Sequence, residues 1–112
     1  MGYRRQGPRR IAFKKITDVE IEVQCCHGPG IIREEAWQDL TGKIVRYNLA
    51  FISHFICQKD NGRVLGYDSA HGYHHRHLMG RVEKFRFASY AELADMFFQE
   101  VTEICKESKK ED

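Results

Sequence analysis

The first clear periodicity begins near Ile16. Val19, Ile21, Val23 and Cys25 alternate with Asp18, Glu20, Glu22 and Gln24. A period of two rich in β-branched residues predicts a half-buried strand with a solvated acidic face. His27-Gly28-Pro29-Gly30 breaks that strand. In residues 31 to 42, Glu34, Glu35, Ala36 and Leu40 suit a short helix ended by Thr41-Gly42, and Trp37 is expected to pack this excursion against the sheet. Ile44 to Gln58 predicts the longest strand: Val45, Tyr47, Leu49, Phe51, Phe55 and Cys57 share one face, with Ser53 the one interruption. A strand of that length is expected to bend or bulge.

Lys59-Asp60-Asn61-Gly62 predicts a turn, because Asn-Gly tolerates positive φ. Arg63 to Asp68 then returns as the paired strand of a long hairpin. After Gly80, the alternation of Val82, Lys84, Arg86 and Ala88 with Glu83, Phe85 and Phe87 gives a further short strand. Ser89 and Glu92 have the spacing of a capping box, in which the Ser89 hydroxyl accepts from the Glu92 backbone N–H. The helix beyond carries a stripe of Leu93, Phe97, Val101 and Ile104, flanked by Met96 and Cys105, and this stripe is read as core. These elements predict an α+β fold, an antiparallel β-sheet with a long hairpin, packed on one face by a C-terminal α-helix.

The totals refine this picture modestly. A chain of 112 residues, 42% apolar and 30% charged, makes one ordinary globular domain. The net charge of +2 selects no partner, but its distribution is uneven. Residues 1–15 hold Arg4, Arg5, Arg9, Arg10, Lys14 and Lys15 and no acidic residue, which predicts a flexible basic arm able to reach for phosphate. Residues 16–106 then form the single domain and 107–112 a charged tail. No apolar run reaches the length of a membrane span, and the N-terminus lacks a stretch suited to a signal peptide. Cys25, Cys26, Cys57 and Cys105 make no CxxC pair, so the expectation is four reduced thiols in a cytoplasmic protein.

The chemistry is concentrated in residues 67 to 77, which hold His71, His74, His75 and His77 with Asp68 and Arg76. His71, His75 and His77 are an alternative ligand set for a divalent metal such as zinc. They can also serve loop structure, as His27 and His54 are expected to do alone. Without a metal, His75-Arg76-His77 contains what RNA cleavage at a 2′-hydroxyl requires: two imidazoles for proton transfer and a guanidinium for the phosphate. If the triplet is extended, the histidines share a face and Arg76 points away; if it turns, all three converge. Arg63 and Arg81 are candidate auxiliary phosphate contacts, and Arg9 and Arg10 of the arm are further candidates for nucleic acid.

The run from Arg46 to Val101 resembles the TumE-type toxin family of toxin–antitoxin pairs. The pieces that carry the likeness are Tyr47-Asn48-Leu49-Ala50-Phe51, Gly66-Tyr67-Asp68-Ser69, His75-Arg76-His77, Gly80, Phe85-Arg86-Phe87 and the helix from Leu93 to Val101. Gly66 departs from the arginine that often precedes Tyr-Asp in that family. A second resemblance is to uncharacterised small proteins with a D-x-A-H-G-x-x-H-R-H pattern, which implies no activity. The TumE-type resemblance implies a toxin acting on RNA, a helix-turn-helix antitoxin as partner, and Asp68, His75, Arg76 and His77 as catalytic residues. The alternatives are a non-catalytic module binding nucleic acid or protein, and a metal-binding protein. An open sheet of this size also makes a homodimer reasonable.

Overall fold

The computed structural model describes residues 13–69 and 73–110. Six strands, β1 (Lys14–Cys25), β2 (Gly28–Gln38), β3 (Ile44–Ile52), β4 (Arg63–Asp68), β5 (His75–Leu78) and β6 (Arg81–Lys84), precede one helix, α1 (Tyr90–Lys110). Each strand pairs antiparallel with the next, giving a meander in the order β1 to β6. The helix packs on one face of this sheet, so the α+β expectation holds.

Two-residue alternation decides which side chains meet the helix. Leu49 pairs with Tyr67 and Phe51 with Leu65, while Ile32 opposes Phe51 from β2. These side chains are buried and pack with Leu93, Phe97 and Val101 of α1. The helix starts where the capping residues predict, with the Ser89 hydroxyl accepting from the Glu92 N–H at 3.2 Å. Hydrogen bonds also tie sheet to helix: the Tyr67 hydroxyl donates to Glu100 at 2.7 Å and Tyr90 donates to Glu34 at 2.7 Å.

Three expectations about these elements are corrected. Residues 28 to 38 are strand, not a helical excursion, because β2 is paired on both sides and alternates Ile32, Glu34 and Ala36 against Arg33, Glu35 and Trp37. Pairing overrides the local helix preference of Glu and Ala. Thr41-Gly42 belongs to the following turn, where the Asp39 carboxylate accepts from the Thr41 and Lys43 N–H groups. The predicted long strand ends at Ile52, one residue before the Ser53 interruption, and the Ser53 carbonyl accepts from the N–H groups of Ile56 and Cys57 in a turn.

The first strand begins at Lys14, so Lys14 and Lys15 belong to the sheet, while Arg9 and Arg10 lie outside the described residues. Cys25 at the end of β1 and Cys105 in α1 form a disulfide across 80 residues, against the expectation of four reduced thiols. Only the folded packing of strand on helix brings these two together; Cys26 and Cys57 remain thiols. Disulfides persist in oxidising compartments, so this bridge does not speak for the cytoplasm. No helix among the described residues is long and apolar enough to cross a membrane.

Two consequences are measurable. Phe97 is fully buried, and Phe97→Ala is expected to lower stability by about 3–5 kcal/mol in denaturant titrations. Burial raises the Tyr67 phenol to about 12, helped by its bond to Glu100. Tyr47 and Tyr90 are also raised, by burial first and then by the charge of Asp68 and the bond to Glu34 respectively. The folded state holds these protons more tightly than the unfolded chain. Their stabilisation is therefore complete below the ordinary phenol pKa of about 10 and is lost as pH rises through the folded values. Alkaline titration is expected to show phenolate absorbance from these three appearing together with loss of helical circular dichroism; earlier ionisation of all three in the folded protein would contradict it.

Candidate functional site

The sheet face opposite α1 carries the candidate chemistry. Register places Glu35, Asn48, Asp68, His75 and Lys84 in one row across five strands, and Arg33, Ala50, Gly66, His77 and Val82 in the next. The triplet His75-Arg76-His77 is extended, as part of β5. Its two histidines therefore share the open face, and Arg76 points to the helix side.

Asp68 sits between the imidazoles. Its Oδ2 lies 2.9 Å from His77 Nε2, and its Oδ1 lies 3.6 Å from His75 Nδ1. Arg63 Nη2 approaches His77 Nδ1 at 3.1 Å. A guanidinium can only donate, so His77 Nδ1 accepts and the ring proton sits on Nε2, directed at Asp68. The result is an ordered chain of Arg63, His77 and Asp68. The same Arg63 donates through Nε to Asp60 at 2.7 Å. The His75 and His77 rings are 6.3 Å apart between centroids.

The sheet is built to hold Arg63 flat. A Cβ added at Gly66 would stand 2.8 Å from Arg63 Cδ and 3.2 Å from the Leu49 carbonyl oxygen. Gly66 thus provides the floor on which the arginine stem lies. Beside it, Arg33, Asn48, Ala50, Asp60 and Arg63 line an open cleft of about 340 Å³. Asp60 reaches Arg63 from a 3₁₀ turn, Asp60–Gly62, whose residues have φ of 53°, 56° and 84°, and Asn61 of the same turn lines the cleft. Glu35, in the row of Asp68, accepts from Lys15 at 2.9 Å and Asn48 at 3.2 Å, which lowers its carboxyl pKa in that order of cause.

Of the sequence candidates, Asp68, His75, His77 and Arg63 come together. Arg76 does not join them: its Nε donates to the Tyr67 hydroxyl at 2.9 Å and its Nη2 to Glu100 at 2.9 Å, with Glu83 3.3 Å from Nη1. Arg81 pairs with Leu78 and lies on the Arg76 side. His74 is structural, stacked 4.5 Å from Phe87 with its Nδ1 2.8 Å from the Tyr47 hydroxyl. His54 covers Gly62, where a Cβ would meet its ring at 2.7 Å. His71 of the alternative metal set is outside the described residues, and both nitrogens of His77 are engaged by protein groups. Among the described residues no three His, Cys, Asp or Glu side chains are grouped to hold a metal ion.

Sequence reasoning did not single out Asn48, Asp60 or Gly66 for the site. The departure at Gly66 from the arginine of the resembling family was visible, but its meaning needed the Arg63 side chain above it. Comparison with family models, characterised proteins and solved structures finds no match to this chain.

Gly66→Ala tests the floor directly. It is expected to cost about 1–3 kcal/mol, as small-to-large changes in packed sites do. It should also shift the imidazole nitrogen resonance of His77 Nδ1 as Arg63 is lifted away. An unchanged Nδ1 resonance would show that Arg63 does not depend on Gly66.

Proposed function

We propose that the open sheet face cleaves RNA without a resident metal, and that the protein is a small endoribonuclease of the toxin type. The observation that carries this reading is the hydrogen-bonded chain Arg63–His77–Asp68 with His75 beside it. Asp68 holds the His77 proton on Nε2, which leaves Nδ1 as the nitrogen with a lone pair. That is the orienting role a carboxylate plays for a catalytic imidazole. The lone pair faces Arg63, the cation to which a phosphate would go.

A bound phosphate oxygen competes with His77 for the Arg63 donors, because a charged acceptor makes the stronger bond. His77 Nδ1 is then released to take the 2′-hydroxyl proton. The 2′-oxygen attacks phosphorus, the bond to the 5′-oxygen breaks, and His75 supplies the proton that the leaving oxygen needs. The products are a 2′,3′-cyclic phosphate and a 5′-hydroxyl. Arg63 neutralises charge on the phosphorane, the role that the sequence pattern suggested for Arg76. The TumE-type resemblance of Asp68 and the His75–His77 segment supports the toxin assignment and implies a helix-turn-helix antitoxin as the neutralising partner.

Pure protein incubated with labelled RNA, with and without EDTA, tests the reading. Wild type is expected to cleave equally in both. His75→Ala and His77→Ala are each expected to lose roughly 100- to 10,000-fold in rate, the usual contribution of a positioned acid or base. Cleavage that survives the double substitution would remove the proposal. Salt-sensitive RNA binding without cleavage in any lane would favour a non-catalytic binding module instead.

A further inference from the structure

Tyr73 has no role in the chemistry above, yet it stands at the edge of that site. It is 55% exposed, which is high for a large aromatic side chain. Its ring centroid is 6.2 Å from that of His75, and the planes are tilted by 57°. Lys84 places its ammonium 4.8 Å from the Tyr73 ring centroid. Register also sets Lys84 directly opposite His75, on the open face. An exposed aromatic ring, a cation and a proton-transfer imidazole are thus within one side chain's reach of one another.

On the other side of the histidines lies the cleft over Ala50, with Arg33 and Arg63 in its lining. Ala50 is a small residue in the second row, and beside it the stem of Arg63 lies flat over Gly66. A ring at one end and a cationic trough at the other are the two components of a single-strand site. Aromatic rings accept unstacked bases, and cations follow the backbone. A duplex keeps its bases stacked and offers the ring nothing to hold.

We propose that Tyr73 is the base platform of this site and that its substrate class is single-stranded RNA. The base next to the scissile phosphate stacks on Tyr73. Lys84 contacts the phosphate of that nucleotide, and the backbone continues over His75 and His77 toward Arg63 and Arg33. This inference rests on the reading of the open face as an RNA site and is tested separately from cleavage.

The experiment measures binding by fluorescence anisotropy in the His75→Ala background, so that catalysis does not consume the probe. The probes are a short unstructured RNA and a hairpin duplex of the same length. Adding Tyr73→Ala is expected to weaken single-strand binding roughly 5- to 150-fold, the range for losing one stacked base. Tyr73→Phe should restore it, because the ring and not the hydroxyl is used. Duplex binding should be weaker and indifferent to position 73. Equal single-strand affinity with and without the ring would overturn the proposal, as would a duplex bound as tightly as the single strand. Ring-dependent binding combined with no cleavage by wild type would uphold the platform while overturning the catalytic reading.

Discussion

The candidate site depends on a contact made on the other side of the sheet. Arg76 lies between His75 and His77 in sequence and points to the opposite face, where Tyr67 and Glu100 hold its guanidinium at 2.9 Å each. A slip of one residue in β5 would exchange the faces. It would put Arg76 on the open side and both histidines against Tyr67 and the helix. The arginine network therefore specifies the register that presents His75 and His77. A hydrophobic residue at position 76 could bury comparable area, but it would penalise a slip less sharply than a guanidinium with three oxygen partners.

The same network joins the site to the helix. Tyr67 is buried beneath Arg76, makes edge contacts with Phe85 and Phe97, and donates to Glu100. Position 67 is also the residue before Asp68, so the strand that packs Tyr67 on the helix delivers the carboxylate to the other face. Packing on one side and chemistry on the other follow from the same two-residue alternation in β4 and β5. The positioning of Asp68 and His77 is thus supported by regular strands, which hold side chains more firmly than a loop does.

Period-two segments with β-branched residues were legible in the sequence, as were the turn with Asn61-Gly62, the capping residue Ser89 and the α1 stripe. The β2 segment was not, because Glu34, Glu35 and Ala36 favour helix locally and only pairing with β1 and β3 decides otherwise. For the site, Asp68, His75 and His77 could be found from side-chain chemistry. Which arginine faces them could not, since that depends on whether His75-Arg76-His77 is extended. Arg63 is fourteen residues from His77, and its approach requires the β4–β5 pairing and the absence of a Cβ at position 66. The Cys25–Cys105 bridge was hidden for the same reason: its partners meet only through tertiary packing.

Charge on the open face is arranged as a gradient from one edge of the sheet to the other. At β1 the outward residues are Asp18, Glu20 and Glu22, and register aligns them with Glu35, Arg33 and Ile31 of β2. Arg33 is partly neutralised there, 3.7 Å from Glu20 and 3.8 Å from Glu35. Lys15 is likewise tied to Asp18 and Glu35. Toward β6 the carboxylates Asp60 and Asp68 are balanced by Arg63 and Lys84. A polyanion approaching this face is repelled more strongly from the β1 edge than from the half that contains Asp68, His75 and His77. The acidic row of β1, which by itself reads only as a solvated strand face, thus keeps the proposed RNA path off that edge, between Arg33 of β2 and Lys84 of β6. The confinement acts over distances comparable to the screening length, about 8–10 Å at ordinary ionic strength, and therefore weakens as salt is raised.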